Sequence, residues 1–296
     1  MFILGALALA TTLSCSKEES VIAETPDQTL GLVDEQPSQR EGDCGYVDGN
    51  WSSTASLYTS LPNSGSTKGA SLLTSQNTTI KTFWRGSSVS APTFRFVRDL
   101  TSPSSTFNAI SYSNGKIYFG EAIFKWAYDR DNSNLINVMI LAHEYGHQLQ
   151  YAYGLPSRSE STARAGELEA DGMAGYYLRR GYGKSTFASI ATAYDAAYAI
   201  GDYSTTSAGH HGTPPQRKSA VRLGFLLADP GNSKLSAPDF DYNFFYYYNG
   251  VLNGTYRLAQ PQGISPEFHA FMMSHMEELG RIASGEMSDE DYKNLK

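Results

Sequence analysis

The stretch Ile140-Leu141-Ala142-His143-Glu144-Tyr145-Gly146-His147 decides how the rest of this chain is read. On a helix, residues four apart lie one above the other, so His143 and His147 present two imidazoles to one ion, and Glu144, about 100° round, reaches beside it. This is the His-Glu-x-x-His spacing of a zinc site. The flanks agree with it. Asn134 to about Tyr153 carries an apolar stripe and is closed by Gly154 and Pro156, so the motif falls inside a helix.

Two imidazoles are too few for a catalytic zinc, which takes three protein ligands and a water. Glu167-Leu168-Glu169-Ala170-Asp171 offers the third on the next helix, Ser161 to Arg180. Glu167 and Asp171 share a face, whereas Glu169 is about 200° from Glu167. The assignment is Glu167 as ligand, Asp171 as the acceptor that orients His143, and Glu169 as a solvent-facing or ion-pairing residue. Small residues Gly166, Ala170, Gly172, Ala174 and Gly175 would let the two helices approach closely.

Working outward, the texture changes along the chain. Trp51 to about Ser105 is Ser/Thr-rich with short alternations such as Thr93-Phe94-Arg95-Phe96-Val97, and reads as strands and turns. Gly115-Lys116-Ile117-Tyr118-Phe119-Gly120 is a short strand bounded by turn residues. From Asn134 the pattern is helical. Arg179-Arg180 before Gly181 places cations at the negative end of a helix dipole, with Gly181 as a left-handed cap. Thr213 caps a helix with Pro214 in its first turn, running to about Asp229, and Ser265-Pro266-Glu267 opens another to about Ile282. A further helix is expected around Phe187 to Ile200. The fold class is α+β, a small N-terminal sheet followed by an active-site helix and a mostly helical C-terminal part.

These segments resemble, in order, those of a bacterial family of neutral zinc metallopeptidases within the gluzincins, whose third ligand is Glu. Gly115-Lys116-Ile117-Tyr118-Phe119 looks like the strand before the active-site helix, and Ala142-His143-Glu144-Tyr145-Gly146-His147 matches the family's Ala-His-Glu-x-Gly-His. Glu167-Leu168-Glu169-Ala170-Asp171 is similar to Glu-Leu-x-Ala-Asp. Ala197-Tyr198-Ala199-Ile200-Gly201-Asp202 and His211-Gly212-Thr213-Pro214-Pro215-Gln216-Arg217 resemble its Ala-Ile-Gly-Asp and His-Gly-Thr-x-x-Gln-Arg segments. The likeness runs over roughly Asn114 to Phe225. Gly172 departs from it, standing where members often have Cys. The resemblance implies a zincin-like fold and a peptidase with Zn2+ held by His143, His147 and Glu167. Glu144 would be the general base for a zinc-activated water and then return the proton to the leaving amine.

His211, in a Ser/Gly-rich segment, is either the donor to the developing oxyanion or an organiser of the helix start that follows. The backbone of Lys116 to Phe119 is a candidate for pairing with an extended peptide or protein substrate. The same zinc chemistry would also open esters and other amides. From a different class, a surface lipoprotein binding module with a structural zinc would have the same fold and no use for Glu144.

The N-terminus speaks to location. Phe2 to Leu13 is an unbroken apolar and small run, too short to span a bilayer and fit to be a secretory signal. Leu13-Ser14-Cys15 resembles a bacterial lipobox, which implies cleavage after residue 14 and lipidation of Cys15. Cys15-Ser16-Lys17-Glu18-Glu19 resembles an export tag for the outer membrane surface. Residues 15–43 then form a lipidated, disordered acidic tether, and 44–296 the metallopeptidase domain, held in the cell envelope through the membrane anchor. The tether carries six of the seven net negative charges. That acidic balance argues against binding nucleic acid. Two cysteines, Cys15 and Cys44, cannot make a disulfide framework for a chain of this size, and lipidation of Cys15 would leave Cys44 an unpaired thiol.

Other clusters are weaker. Asp129 to Asn134 and Asp239 to Asn243 alternate acids as calcium loops do but lack the glycine and the last glutamate, and read as polar loops or helix caps. Phe244-Phe245-Tyr246-Tyr247-Tyr248 is a ligand platform or, more simply, a buried strand. His269 and His275 lie on opposite helix faces and are no ligand pair.

Overall fold

Phe94 and Phe96 fall on one side of an extended chain, and the strand they form is the spine of the sheet. In a computed structural model that describes residues 31–33, 47–61, 67–191, 193–194, 209–257 and 259–296, five strands join in one sheet. They are β1 (Gly31–Val33), β2 (Ser56–Tyr58), β3 (Thr93–Arg98), β4 (Ala109–Tyr112) and β5 (Lys116–Gly120), in the order β1-β4-β5-β3-β2. β2 with β3 and β4 with β5 are antiparallel, while β3 with β5 and β1 with β4 are parallel.

One face packs Phe94, Phe96 and Phe119 against Phe124, with Phe94 and Phe96 edge to face at 5.0 Å. The other buries Trp51, Val97, Ile110, Tyr112 and Tyr118, where the Trp51 indole donates to the Tyr112 hydroxyl at 2.9 Å.

Two expectations are corrected by this sheet. β5 is hydrogen-bonded to β4 on one side and β3 on the other, so Lys116 to Phe119 has no free edge for a substrate. Gly31–Val33, expected in the disordered tether, is a strand on the outer edge of β4. Cys15, Cys44 and the signal run lie outside the described residues, as does Ala197 to Asp202. Among the described residues no helix is long and apolar enough to cross a membrane.

The helices are α1 (Thr67–Arg85), α2 (Glu121–Arg130), α3 (Leu135–Tyr153), α4 (Arg164–Arg180), α5 (Pro214–Leu227), α6 (Ala237–Asn253), α7 (Pro266–Ser274), α8 (Met276–Ala283) and α9 (Asp289–Lys293). α1 overturns the reading of Trp51 to Ser105 as strands and turns throughout. Its buried positions Ala70, Leu73, Asn77, Ile80 and Trp84 step by three and four, a helical stripe. The hydroxyls of Thr74, Ser75, Thr79 and Thr82 bond back to carbonyls three or four residues earlier, so these poor helix formers satisfy themselves within the helix.

α6 likewise replaces the expected strand at Phe244 to Tyr248. Ser236 caps it, Pro238 sits in its first turn, and Phe240, Phe244 and Tyr248 stack at centroid spacings of 5.6 and 5.1 Å. Asp239 belongs to that cap, and Asp131 takes the Leu135 amide at 2.9 Å at the start of α3, so both acidic clusters are helix caps.

α3 is buried from Leu135 to Gln150, as a helix at the centre of a domain must be. It ends at Gly154, whose φ of 66° is the left-handed cap. Gly181 is not left-handed as expected. Its φ is −96°, and an added Cβ would lie 2.4 Å from the Tyr177 ring, so the glycine makes room there. Thr213 and Gln216 form a reciprocal capping box at the start of α5. The single helix expected from Ser265 is two, broken at His275. The helix expected from Phe187 begins as a single 3-10 turn, Phe187–Ile190, and its residues 195–200 lie outside the described ones.

Candidate metal centre

α3 and α4 lie together because Gly146 of α3 faces Ala170 of α4, where an added Cβ would stand 3.0 Å from the Ala170 Cα. The other small residues of α4 serve different neighbours than expected. Gly172 makes room for the Phe244 ring of α6, and Gly175 for the Val221 carbonyl of α5. α4 is thereby enclosed by α3, α5 and α6.

That enclosure brings the three ligand candidates to one point. His143 Nε2 and His147 Nε2 are 3.2 Å apart, and each is 3.4 Å from a Glu167 carboxylate oxygen. Among the described residues, theirs is the one group of three or more donors that could hold a metal ion. A tetrahedral ion bound at 2.0 to 2.2 Å separates its donors by roughly 3.3 to 3.6 Å; the two 3.4 Å spacings fall on that edge length and the 3.2 Å one lies just under it. A second observation supports the fit. Both Glu167 oxygens are buried without a hydrogen-bond partner, which is costly for a carboxylate unless a cation completes it.

Glu144 follows His143 on α3 and is fully buried, and neither of its oxygens has a hydrogen-bond partner. Burial pushes its pKa up to about 8, against the pull of His143. A divalent cation beside it would pull that value down again. His143 is held differently. Burial would lower its pKa, but the hydrogen bond and charge of Asp171, and then those of Glu167, hold it up at about 9. Burial takes His147 down to about 4.

The orienting contacts form two arms. In the first, His143 Nδ1 donates to Asp171 at 2.9 Å, as the shared face with Glu167 suggested. Arg217 of α5 grips the same carboxylate with both ends of its fork, at 2.6 and 2.8 Å. Burial alone would raise the Asp171 pKa; Arg217 outweighs it and keeps the carboxylate ionised. Arg217 Nη2 also lies 3.5 Å from His143 Nδ1, but that nitrogen already carries the proton given to Asp171.

The second arm begins at His147, whose Nδ1 is 2.7 Å from Gln150 Oε1. Gln150 Nε2 in turn donates to the Gly166 carbonyl and to Glu169, each at 2.8 Å.

Glu169 corrects the sequence reading. It is not solvent-facing but fully buried, because the far side of α4 meets α3 and α6 rather than water. Burial and the charge of Asp241 raise its pKa well above 4.5, which disfavours its ionised form.

His211 lies half-buried just before α5, close enough for its charge to help keep Glu167 ionised. The turn that places it needs Gly212, whose φ is 94° and whose added Cβ would press on Leu168 of α4. His269 faces Tyr247, its Nδ1 lying 3.1 Å from the Tyr247 hydroxyl, and plays no part in the centre. Sequence reading quoted Arg217 without a role and passed over Gln150. A signal for Gln150 was available, an amide three residues beyond His147 on the same helix face, whereas Arg217 sits between Gln216 and Lys218 on a helix that also carries Arg222 and had none. No protein family, curated protein or solved structure matches this chain.

Proposed function

We propose that this chain is a zinc-dependent peptidase of zincin-like fold. The observation that carries the reading is Glu144, a buried carboxylate without a hydrogen-bond partner on either oxygen, next in sequence to one of three converging metal donors. A structural ion needs no such acid. Two imidazoles and one carboxylate suit zinc, whereas calcium and magnesium take oxygen ligands. Iron oxygenases use a similar set, and elemental analysis separates the two.

His143, His147 and Glu167 would hold the ion. When bound, zinc acidifies a water and polarises a substrate carbonyl. Glu144 accepts the proton of the attacking water and returns it to the leaving amine. His211 donates to the oxygen on which negative charge develops. Asp171, clamped by Arg217, keeps the His143 ring facing the ion. A lipid anchor at Cys15 and a place in the cell envelope complete the proposal.

Glu144→Gln fills the same space without accepting a proton. It should retain the metal, by elemental analysis, and lose peptide-library cleavage. Equal turnover in the variant would remove Glu144 as the base, and a zinc-loaded wild type that cleaves nothing in the library would leave a binding protein with a structural ion, which the deep burial of all three ligands would also suit.

A further inference from the structure

Resting on the metal-centre reading above, we propose that Gln150 is a positioning residue for His147, holding its imidazole in the one tautomer that turns the Nε2 lone pair toward the ion. Gln150 follows His147 by three residues on α3, so its side chain lies over the same face. An amide can be placed either way round, and here its neighbours choose. The Gly166 carbonyl, 2.8 Å away, can only accept, so the nitrogen must be on that side. Glu169 Oε2, at 2.8 Å, is a second acceptor for the same nitrogen. The oxygen therefore faces His147 Nδ1 at 2.7 Å and can only accept, which places the ring proton on Nδ1. Nε2 is left with its lone pair, 3.4 Å from Glu167 and 3.2 Å from His143 Nε2.

The two ligand histidines are thus oriented by unlike devices. His143 has an ionised carboxylate backed by Arg217, and His147 has a neutral amide backed by a main-chain carbonyl and Glu169. A neutral partner fixes the ring without adding another negative charge to a site that already holds Glu144, Glu167 and Asp171. His143 is 1% and Gln150 2% exposed, and Glu144, His147, Glu167, Glu169, Asp171 and Arg217 are at 0%.

The test measures the zinc dissociation constant by chelator competition, and the His147 tautomer by long-range nitrogen–proton NMR of the imidazoles. Wild type should show His147 as the single Nδ1–H tautomer. Gln150→Leu, which removes the acceptor, should mix the tautomers and weaken zinc binding by roughly 10 to 100-fold. Gln150→Glu keeps an acceptor for Nδ1–H and should recover most of that affinity. A purely structural role for Gln150 would instead lower thermal stability in both variants and leave the tautomer and zinc affinity of the folded protein unchanged, which would overturn the proposal. Should Gln150→Leu fail to fold, the wild-type spectrum still decides, since an Nε2–H tautomer or a mixture there overturns it. A wild type that takes up no zinc but holds the Nδ1–H tautomer counts against the metal-centre reading and in favour of the orienting contact.

Discussion

A buried charge in this protein is governed by what grips it. Asp171 is ionised because Arg217 supplies two charge-assisted hydrogen bonds, while Glu169, two residues back along the same helix, meets an amide and a second acid and has its pKa pushed up instead. Removing one partner of a buried pair is far costlier than removing both. Arg217→Leu should therefore destabilise the fold by about 3 to 5 kcal/mol, read from denaturant midpoints, and an unchanged midpoint would mean that Asp171 is not ionised.

Asp171→Asn keeps the space but loses the charge, and should weaken zinc binding by about 10 to 100-fold. Farther away, Glu121 is paired with Arg98 at 2.8 Å and with Lys125 at 3.1 Å. Burial would raise its pKa, but Arg98 and then Lys125 win and lower it. A lowered folded-state pKa gives stability that is present above the unfolded value of about 4.5 and is lost as the pH falls through the folded one. Glu121→Gln should cost up to about 1 kcal/mol at neutral pH and nothing in acid, a convergence that thermal melts across pH would show.

Elements are positioned by where two backbones can touch. Gly224 of α5 lies against Gly172 of α4 so closely that an added Cβ would stand 1.8 Å from the Gly172 carbonyl oxygen. Because that atom is backbone, Gly224→Ala must push α4 and α5 apart, at a cost of roughly 1 to 3 kcal/mol or more. The same shift moves Arg217 away from Asp171, so metal affinity should fall together with stability. Equilibrium unfolding and chelator competition on the one variant check both, and a loss of stability with intact affinity would show that the clamp tolerates the displacement.

At the scale of the whole molecule, the centre joins parts of the chain that pack as separate layers. Gln148 of α3 donates to the Ser111 hydroxyl and the Tyr112 carbonyl of β4, at 2.6 and 2.8 Å, so the helix that carries His143 and His147 is tied to the strand that borders β1. Ser219 of α5 reaches the Leu279 carbonyl of α8, and Arg222 pairs with Glu278, which ties the C-terminal helices to the element bearing Arg217.

An ion that binds only the folded state should stabilise all of this together, by about 4 kcal/mol at a thousandfold excess over its dissociation constant. Melting in zinc and in chelator should differ accordingly, and equal midpoints would exclude a folded-state metal site. The outer edge of β4 is occupied by Gly31–Val33, in register from Gly31 with Ile110 to Val33 with Tyr112. Leu32→Pro, which puts a ring of fixed φ and no backbone N–H into the middle of that strand, should free an edge on which extended peptides can add and, on the peptidase reading, speed their cleavage.

Periodicity alone was enough to put His143 and His147 on one helix face, to choose Glu167 over Glu169, and to pair Asp171 with His143, because a helix repeats every 3.6 residues whatever surrounds it. Start and stop residues likewise placed α3 to within a residue of its ends, since Gly154 satisfies a backbone requirement that is local. Local pattern failed where neighbours decide. The hydroxyl-rich α1 and the aromatic α6 are helices because each lays an apolar stripe on a core contributed by distant segments, which outweighs weak propensity. Solvent exposure of Glu169, the free edge assigned to β5, and the roles of Gln150 and Arg217 all depended on which elements pack against which. A residue's own position in a helix says where its side chain points, and only the tertiary packing supplies what it meets there.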